Sequence, residues 1–425
     1  MINVREFVKE NITTESVQAA IDYASEHKKT LFFPRGVYSV TSLALRSDSS
    51  VYLDKDALIS ASLSSTDWEK SPMKPVFYCE NAKNVCIRGT GTITANGYAF
   101  TDESGYRKKT ASRPEAVILF RNVCNVMVEN ITLKETVGWT FHLDNCDNVL
   151  LDGIQIRNPT YVTRKNSDGI DINGCRNVTV MNCDIETGDD AICLKNIDYT
   201  TCQSGYTNTS LGRRDMYNIN VYNCTCASTC NSTKIGTETV GNIYDVSFEK
   251  IRVRKHPLIT GHGAGNPPFE SYRALSAISV QSNDGSVVKN IRFKDYYIET
   301  VDTPIFILYQ QRGTKVPATD RGEISNITIE NIYVDRSYRT SQILSSHTGK
   351  ISNVKISGMY IRTYEEKASE YDFNLPTGAE YPDVYNFGKF PSYGLFSRNA
   401  ANVDIRDDVL FYDETNSGRP DIDIG

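Results

Sequence analysis

The sequence lacks several features that would mark whole classes of protein. No apolar run approaches the roughly 18 residues of a membrane-spanning helix. There is no surplus of positive charge, because 46 Lys and Arg face 52 Asp and Glu, which gives a net charge of −6 and a pI near 5.6. This balance argues against nucleic acid or an anionic membrane as a partner. Asn-Gly pairs between alternating apolar runs are scarce, which disfavours an antiparallel β-sandwich.

Secretion signals and metal-binding motifs are missing too. The chain opens Met1-Ile2-Asn3-Val4-Arg5 without a basic region leading into an apolar stretch, so we expect an intracellular protein, or a secreted or periplasmic one whose leader was removed. The cysteine count is eleven, an odd number, which favours a reduced, cytoplasmic setting. Cys224, Cys226 and Cys230 lie close together, but no histidine or Cys-x-x-Cys pair accompanies them. We therefore predict no metal and no cofactor.

A repeated dipeptide indicates the fold. The 425 residues, 40% of them hydrophobic, fit two or three ordinary domains or one elongated repeat domain. An Asn followed by alternating β-branched residues recurs, several times at intervals of 23 to 29 residues, at Asn84, Asn125, Asn148, Asn177, Asn218, Asn242, Asn290, Asn326, Asn353 and Asn402. Short strands at a regular period must stack to bury their apolar faces. We therefore predict an all-β fold, a right-handed parallel β-helix, whose corner Asn residues adopt left-handed conformations and bond along a ladder.

The whole chain, 1–425, is predicted to form a single β-helix domain. Residues 1–40 form an N-terminal cap, because residues 14–27 place Val17, Ala20, Ile21 and Ala24 on one helix face. Coils occupy residues 41–363, and residues 364–425 hold an aromatic loop and a final coil. Departures from the period predict long loops around a cleft, at roughly 100–113, 197–214, 255–274, 310–322 and 364–397. The aromatic side chains of the last loop would either stack on sugar rings or pin the loop to the helix.

One acidic stretch carries the strongest chemical signal. Asn166-Ser167-Asp168-Gly169 is followed by Gly188-Asp189-Asp190, and the two later aspartates follow Asp168 by 21 and 22 residues, about one coil. Stacked strands lie roughly 4.8 Å apart, so the three carboxylates would crowd one patch with no basic residue among them. Like charges this close raise one another's pKa, which suits acid–base catalysis. Taken singly, Asp-Gly and Asp-Asp would be only solvated turn residues.

With these motifs the chain resembles glycoside hydrolase family 28, the polygalacturonases and rhamnogalacturonan hydrolases that cut pectin. Further matching segments are Arg113-Pro114, Trp139-Thr140-Phe141-His142, Pro304-Ile305-Phe306-Ile307, Glu380-Tyr381-Pro382, Phe390-Pro391-Ser392-Tyr393-Gly394-Leu395-Phe396-Ser397-Arg398 and Gly418-Arg419-Pro420. The resemblance implies an inverting hydrolase in which Asp189 is the general acid, while Asp168 and Asp190 hold and activate the attacking water. Inverting carboxyl pairs lie about 6.5 to 9.5 Å apart, a separation that one strand spacing plus a lateral offset provides.

Two family signatures are replaced in this sequence. When Ile235-Gly236-Thr237 is aligned with the family's Gly-His-Gly-x-Ser-Ile-Gly-Ser, Asn231 stands where the histidine should be. A literal Gly261-His262-Gly263 lies in a later loop, and we interpret it as a coincidence. Ser279-Val280-Gln281 stands for the Arg-Ile-Lys that grips the carboxylate of galacturonate.

Other residues are candidates for binding substrate. Lys234 is predicted to point outward, because Ile235 matches the inward Leu194, and Arg273 is a candidate bidentate partner for the same carboxylate. Alternatively, Lys234 forms a structural ion pair with Glu238 or Asp171. His142 precedes the acidic stack by one coil and is predicted to hydrogen-bond a sugar. Asn166 and Asn231 complete the predicted substrate-binding set.

These features predict an inverting glycoside hydrolase that acts on the ends of pectin-derived oligosaccharides of galacturonate or rhamnogalacturonan type, because long loops would close one end of the cleft. The lost Arg-Ile-Lys keeps open the hydrolysis of a neutral or rhamnose-containing glycan. A β-elimination lyase shares the fold, but it needs calcium or a basic residue to take the proton. The alternative of another class is a non-catalytic glycan-binding β-helix. The expected partner is an oligosaccharide or polysaccharide, with no nucleic acid and no membrane.

Overall fold

The structure, a computed structural model, describes residues 1–8, 12–102, 112–158, 166–197, 214–257, 273–313, 321–365, 370–382 and 384–425. The chain divides into two compact units. Unit 1 comprises Met1–Ala191 with Leu258–Thr260, and unit 2 comprises Ile192–Pro257 and Gly261–Gly425. Much of each of the first four predicted loops lies outside the described residues, as does Gly261-His262-Gly263, whereas most of the loop at 364–397 is described. That the whole chain is one domain stays a prediction.

Unit 1 begins with the predicted cap. Helix α1 (Thr14–Glu26) follows Thr13, whose side chain accepts a hydrogen bond from the Ser16 N–H at 3.2 Å. Its apolar stripe is buried as the sequence predicts. Gln18 on α1 donates to the Ala44 carbonyl at 2.8 Å and accepts from the Ala44 N–H at 2.7 Å, which attaches the helix to a strand. Short helices follow at α2 (Ser65–Lys70) and, as single 3₁₀ turns, at Val4–Glu6 and Gly97–Phe100.

The strands of unit 1 stack in parallel columns. Within its described residues they are β1 (Ile2–Asn3), β2 (Thr30–Phe33), β3 (Gly36–Val40), β4 (Leu43–Leu45), β5 (Ser50–Leu53), β6 (Ala57–Ala61), β7 (Phe77–Gly89), β8 (Thr92–Thr94), β9 (Ala116–Glu129), β10 (Thr132–Lys134), β11 (Trp139–Asp144), β12 (Asp147–Asp152), β13 (Gln155–Arg157), β14 (Ile170–Asn173), β15 (Arg176–Met181) and β16 (Asp184–Thr187). One column runs β4, β7, β9, β11, β14. A second runs β2, β5, β7, β9, β12, β15. The third runs β3, β6, β8, β10, β13, β16.

Unit 2 repeats this arrangement with longer strands. Within its described residues they are β17 (Ile192–Asn196), β18 (Met216–Tyr222), β19 (Thr225–Ser228), β20 (Asn231–Thr239), β21 (Ile243–Val253), β22 (Ala274–Ser282), β23 (Val287–Ile298), β24 (Val301–Tyr309), β25 (Glu323–Ser337), β26 (Ser341–Ser345), β27 (Ile351–Thr363), β28 (Leu395–Arg398), β29 (Ala400–Ile405), β30 (Leu410–Asp413) and β31 (Ile422–Ile424). The column β17, β20, β22, β24, β26, β28, β31 carries Lys234. A one-turn helix, α3 (Val384–Phe387), precedes β28.

Parallel pairing of successive coils confirms the predicted fold class, a right-handed parallel β-helix. The interior is filled by side chains that repeat from coil to coil. In unit 2, for example, the rings of Phe248 and Phe293 stack at 5.2 Å with an interplanar angle of 2°. Such a core buries one face of every strand, so no coil is stable without its neighbours. No helix in the part of the chain that the structure describes is long and apolar enough to cross a membrane.

The asparagine ladder forms at the corners of unit 1 as predicted. The φ angles of Asn84, Asn125, Asn148 and Asn177 are 59°, 60°, 57° and 54°, all in the left-handed region. The side-chain amides of the last three donate to the oxygen of the preceding Asn of the ladder, at 3.0, 3.2 and 3.1 Å. Asparagine suits this corner because it tolerates the left-handed backbone and can both donate and accept a hydrogen bond.

In unit 2 the ladder differs from the prediction at one position. Asn290 donates to Asp245 at 2.9 Å, and the ladder continues through Asn326, Asn353 and Asn402. Asp245, with a φ of 54°, therefore occupies the corner that we predicted for Asn242. Asn242 instead accepts from the Val287 N–H at 3.0 Å, because the register pairs Ile219 with Val246 and so aligns Asp245 with the corner.

The aromatic loop of residues 364–397 is pinned to unit 2 in its described part. Phe373 packs against Phe396 with ring centroids 4.5 Å apart, and Phe387 packs against Phe306 at 5.7 Å. Phe390 and Leu344 belong to the same buried cluster. Burying a phenylalanine contributes about 1.5–3 kcal/mol, so this cluster holds the loop in place. Of the two roles predicted for the loop's aromatic side chains, pinning is the one that these phenylalanines perform.

Substitutions at Asn125 separate the two contributions of a ladder residue. Asn125→Gly keeps the left-handed backbone and loses the side-chain bonds, so we expect a loss of about 1 kcal/mol in the free energy of unfolding. Asn125→Ala loses the same bonds and also strains the backbone, which should bring the loss to about 2 kcal/mol or more. Chemical denaturation of both variants measures the difference. Equal losses would show that the left-handed corner does not constrain this position.

Candidate active site

Two successive turns of unit 1 hold the predicted acidic cluster together. The Gly169 N–H donates to the Asp190 carbonyl at 2.8 Å, and the Ile170 N–H donates to the Ala191 carbonyl at 2.9 Å. The Thr187 hydroxyl donates to the Ser167 carbonyl. The spacing of about one coil therefore stacks the two aspartate motifs as predicted.

Gly169 has a steric reason to be glycine. A Cβ at this position would lie 2.4 Å from the Ala191 carbonyl oxygen and 2.7 Å from a methyl group of Ile185. Neither neighbour has room to move, because both belong to the stacked backbone or its core. The close approach of the two turns therefore depends on this residue.

The preceding strand fixes the acidic turn from its other side. Thr140 on β11 donates twice to the Asp168 carbonyl, from its N–H at 2.9 Å and from its hydroxyl at 2.7 Å. The Phe141 N–H donates to the Gly169 carbonyl at 3.0 Å. Asp168 thus sits on a backbone that is bonded above and below, which preorganises its side chain.

The carboxylates of unit 1 form two close pairs, and all of them are buried. An oxygen of Asp189 lies within 4.8 Å of an oxygen of Asp190, and the same limit holds for Asp168 and Asp171. Asp168, Asp189 and Asp190 are 2%, 5% and 2% exposed. Burial and like charge both disfavour ionisation of closely spaced carboxyls.

Backbone donors act on Asp189 in the opposite direction. Its Oδ2 accepts from the Asn166 N–H at 2.7 Å, and its Oδ1 accepts from the Asp190 N–H at 2.9 Å. Hydrogen bonds of this kind favour the ionised carboxylate. They also fix the orientation of the Asp189 carboxyl group.

Asn166 contributes through its backbone. Its φ is 59°, in the left-handed region, and this conformation directs its N–H to Asp189. Asparagine is among the few residues that adopt this conformation without a large penalty. The side chain of Asn166 is exposed, and its predicted contact with substrate stays a prediction.

His142 lies beside the acidic cluster in unit 1. It pairs in register with Asp171 on β14 and is 8% exposed. Its ring contacts the Trp139 ring at 4.7 Å with an interplanar angle of 84°. The structure therefore brings His142 to the same face as Asp171, while its role towards a sugar stays a prediction.

In unit 2, Lys234 has the outward parity that the sequence predicts. Thr233 and Ile235 pair with the inward residues Ile192 and Leu194, and Lys234 pairs with Cys193. Lys234 is only 1% exposed, and its ammonium lies 4.8 Å from the ring centroid of Tyr381. Tyr381 was not among the predicted site residues. Its signal was the family-like Glu380-Tyr381-Pro382, but nothing local connects that segment to Lys234.

The other predicted cation has different partners. Arg273 donates to Asp302 at 2.5 Å, and its guanidinium lies 3.9 Å from the ring centroid of Tyr338. An arginine held by a carboxylate and a ring face is already oriented. Lys234 and Arg273 thus have separate described neighbours, and their joint action on one carboxylate stays a prediction.

Asn231 lies on the inner side of its strand. Its side chain points to the same side of β20 as that of Thr233 and to the opposite side from that of Lys234. The Thr233 hydroxyl lies 3.0 Å from the buried Tyr296 hydroxyl. The Asn231 side chain accepts from the Ser276 hydroxyl at 2.6 Å and is fully buried. This placement favours a structural role over the substrate contact that we predicted for it.

A segment of residues 378–382, called the strap here, crosses the outward face of unit 2. Gln310 binds it twice, accepting from the Gly378 N–H at 2.8 Å and donating to the Ala379 carbonyl at 2.6 Å. Gln281 donates to the Glu380 carbonyl at 3.0 Å, and Arg339 donates to the Pro382 carbonyl at 3.0 Å. Gln281, which stands for the lysine of Arg-Ile-Lys, therefore serves here as an anchor for the strap.

A buried ion network reinforces the strap. Arg312 donates to both oxygens of Asp284, at 2.8 and 2.7 Å, and it also contacts Glu380 of the strap. Burial by itself would lower the pKa of Arg312, but the hydrogen bonds and charge of Asp284 raise it overall. The guanidinium therefore stays charged, and removing either carboxylate would leave it poorly compensated in the interior.

Several known proteins are similar to this chain. The model of glycosyl hydrolases family 28 matches residues 24–258, more than half of the sequence. An exopolygalacturonase of Arabidopsis thaliana is 27% identical over 230 residues, which cover 50% of this chain and 54% of the relative. A polygalacturonase of Persea americana is 26% identical over 280 residues, which cover 64% and 53%. The chain thus spans about half the length of these relatives.

A solved structure gives the same indication about the fold. An exopolygalacturonase from Thermotoga maritima superposes with a TM-score of 0.61 at 17% identity, covering 94% of this chain and 91% of its own. At this identity the likeness shows the fold alone. The family match over residues 24–258 includes the acidic motifs and confirms the resemblance seen in the sequence. The chain belongs to glycosyl hydrolases family 28.

Proposed function

We propose that this protein is an inverting glycoside hydrolase that releases sugars from the end of pectin-derived oligosaccharides containing galacturonate. The observation that carries the proposal is the stack of Asp168 on the Asp189-Asp190 turn, closed by the Gly169 bond to Asp190 at 2.8 Å. Family membership and the plant relatives named exopolygalacturonase support it. Buried carboxylates with fixed orientations suit acid–base hydrolysis of a glycosidic bond. An oxygen of Asp189 lies within 4.8 Å of one of Asp190, closer than the 6.5 to 9.5 Å typical of an inverting pair, so the proposal of inversion rests on the family resemblance.

The three aspartates divide the reaction between them in this proposal. Asp189 gives its proton to the glycosidic oxygen as the bond from that oxygen to the anomeric carbon breaks. A water held by Asp168 and Asp190 attacks the anomeric carbon from the opposite face and loses a proton to them, which inverts the configuration. The proton on Asp189 is retained because its neighbour Asp190 is ionised, against the pull of its two backbone donors.

Asp189→Asn tests the assignment of the acid. We expect kcat on a galacturonide with a sugar leaving group to fall by about 10²–10⁴. An aryl galacturonide, whose phenolate leaves without a proton, should lose far less. Asp168→Asn and Asp190→Asn should lose activity on both substrates, because the attacking water is needed in either case. Initial rates on the two substrates give the comparison.

Asp152→Asn is the matched control for these variants. Asp152 in unit 1 accepts from Asn182 at 2.7 Å, and the amide oxygen of an asparagine can still accept this bond. Asp152→Asn removes one negative charge, as Asp189→Asn does, but at a residue outside the proposed catalytic set. Its activity should therefore be unchanged. Full activity of Asp189→Asn on sugar leaving groups would refute the acid assignment. Glycan binding without turnover by the wild-type protein would favour a non-catalytic β-helix instead.

We propose that Lys234 binds the substrate carboxylate. The support is its outward parity, its burial beneath Tyr381, and its register with Ser279, which replaces the arginine of Arg-Ile-Lys. A buried ammonium attracts a carboxylate strongly because little water competes for it. The replacement of Arg-Ile-Lys by Ser279-Val280-Gln281 is the observation that favours the second candidate, hydrolysis of a neutral or rhamnose-containing linkage.

Lys234→Met separates these two substrates. On saturated oligogalacturonides we expect kcat/KM to fall by about 10²-fold, a loss of about 3 kcal/mol for a charge-assisted contact. Lys289→Met is the control, since Lys289 also lies over a tyrosine of unit 2, 5.8 Å from the Tyr244 ring centroid, but on another strand column. Faster hydrolysis of neutral oligosaccharides than of galacturonides by the wild-type protein would overturn the uronide proposal.

The strap supports action at a chain end. It is bonded to Gln281 of β22 and to Gln310, which follows β24, and its Tyr381 ring covers the Lys234 ammonium. In this proposal, the strap blocks a glycan bound at Lys234 from extending further in that direction. The proposal of exo-action therefore depends on the strap staying in place.

Product analysis tests the mode of action. Wild-type protein should release short products from polygalacturonate while viscosity falls slowly for each bond cut. Gln310→Ala removes two strap bonds, about 2 kcal/mol of anchoring, and should raise the viscosity loss for each bond cut. Gln311→Ala, whose described bonds go to Tyr309 and Arg321, is the control. A rapid viscosity loss with the wild-type protein would contradict exo-action.

The cellular setting stays a prediction. The ten cysteines within the described residues are free thiols, and most are buried in the strand stack. This supports the proposal that the protein works in a reducing compartment.

A further inference from the structure

Three polar side chains are buried next to the acidic turn of unit 1. Thr136, Thr140 and Asn158 are all almost fully buried, and none of them was among the predicted site residues. Burying a polar group costs free energy unless the group forms hydrogen bonds. A set of such residues at one place therefore indicates that their hydrogen bonds have a purpose, and these bonds lead to Asp168.

The orientation of the Asn158 side chain follows from its partners. Its Oδ1 faces the Thr136 N–H at 3.2 Å. A backbone N–H can only donate, so the atom that faces it must be the amide oxygen. The amide nitrogen is therefore the atom that lies 2.6 Å from the Thr140 hydroxyl oxygen and 3.5 Å from the Ser167 carbonyl. Asn158 thus donates to Thr140 and cannot accept from it without losing Thr136.

This orientation also decides where the Thr140 hydroxyl sends its proton. A hydroxyl has one proton, and its oxygen already accepts from Asn158. The proton is directed to the Asp168 carbonyl at 2.7 Å, where the Thr140 N–H also donates at 2.9 Å. The bonds therefore run in one direction, from Thr136 through Asn158 and Thr140 to Asp168. Hydrogen bonds in such a chain polarise and strengthen one another.

Threonine hydroxyls hold the peptide groups on both sides of the Asp168 Cα. The Thr187 hydroxyl donates to the Ser167 carbonyl, which belongs to the peptide before Asp168. The Thr140 hydroxyl donates to the Asp168 carbonyl, which belongs to the peptide after it. Because each peptide is planar, fixing both of them fixes the two backbone dihedral angles of Asp168. The direction in which the carboxyl group leaves the backbone is then fixed as well.

We infer that Thr140 and Asn158 are positioning residues for Asp168. Asn158 orients the Thr140 hydroxyl, and that hydroxyl holds the Asp168 backbone so that the carboxylate meets the attacking water. The inference rests on the proposed hydrolase, in which Asp168 and Asp190 hold this water. A base must lie within hydrogen-bond reach of the proton that it takes, and a small displacement lowers the rate strongly.

Thr140→Val tests the inference by removing the hydroxyl while keeping the shape of the side chain. We expect kcat to fall about tenfold or more and KM to change by less than about twofold. The loss should be similar on the galacturonide with a sugar leaving group and on the aryl galacturonide, because both need the water that Asp168 holds. Asp189→Asn, in contrast, should spare the aryl substrate. Thr140→Ser keeps the hydroxyl and should restore most of kcat.

Asn158→Leu tests the step from Asn158 to Thr140, since leucine has a similar size and cannot donate. Alone, it should lower kcat by about threefold or more. Added to Thr140→Val, it should lower kcat no further, because Asn158 acts through the missing hydroxyl. A loss in the double variant equal to the product of the single losses would refute the role assigned to Asn158.

Ser25→Ala is the matched control for the loss of a buried hydroxyl. The Ser25 hydroxyl donates to the Ile21 carbonyl at 2.8 Å and lies 2.7 Å from the Ser49 hydroxyl, within the N-terminal cap of unit 1. Its removal should lower the midpoint of chemical denaturation and leave kcat unchanged. An equal fall in kcat for Ser25→Ala and Thr140→Val would show that the loss reflects stability and would overturn the inference.

Crystal structures of wild-type protein and Thr140→Val give a readout that does not depend on activity. The Asp168 carboxyl carbon should move by about 0.5 Å or more, while the bond from Asn148 to Asn125 is kept. An unmoved carboxyl with unchanged kcat would refute the positioning and leave the hydrolase standing. A moved carboxyl in a protein whose wild type hydrolyses no glycan would refute the proposed activity and uphold the positioning of Asp168.

Discussion

Parallel stacking of coils at one strand spacing is the constraint on which the rest of this structure depends. It obliges the chain to turn at the same place in every coil, and the left-handed Asn residues, such as Asn125 and Asn148, make that turn while bonding to each other at 3.2 Å. Once the corners are fixed, so is the register of everything between them. The bonds of Gly169 and Ile170 to the next turn are consequences of that register.

The parts of the fold that repeat were predictable from the sequence, because a period shows itself in local spacing. The corner Asn residues and the stacking of Asp168 on Asp189-Asp190 follow from it. The prediction failed at Asn242, where two polar residues, Asn242 and Asp245, both precede a β-branched or aliphatic residue and both suit a left-handed corner. Only the pairing of Val246 with Ile219 decides between them, and that pairing is a tertiary contact.

The contacts around Lys234 could not be predicted in this way. The bond from Gln281 to Glu380 joins residues 99 apart, and the strap that contains Glu380 has no period of its own. The same bond shows what the residue in place of the lysine of Arg-Ile-Lys does in this structure. A position that the family resemblance assigns to a substrate carboxylate is engaged here by the protein's own backbone. Motif comparison detects such a loss but cannot say what took its place.

The strap also imposes an order on how the molecule can be completed. Tyr381 follows Lys234 by 147 residues in the chain. At a synthesis rate of about 5–20 residues per second, on the order of ten seconds pass before the ring that covers this ammonium leaves the ribosome. Until then the coils of unit 2 carry an uncovered lysine and an open row of polar side chains at Gln281 and Gln310. A nascent chain at this stage is the form in which that face is open to chaperones, to other chains and to proteases.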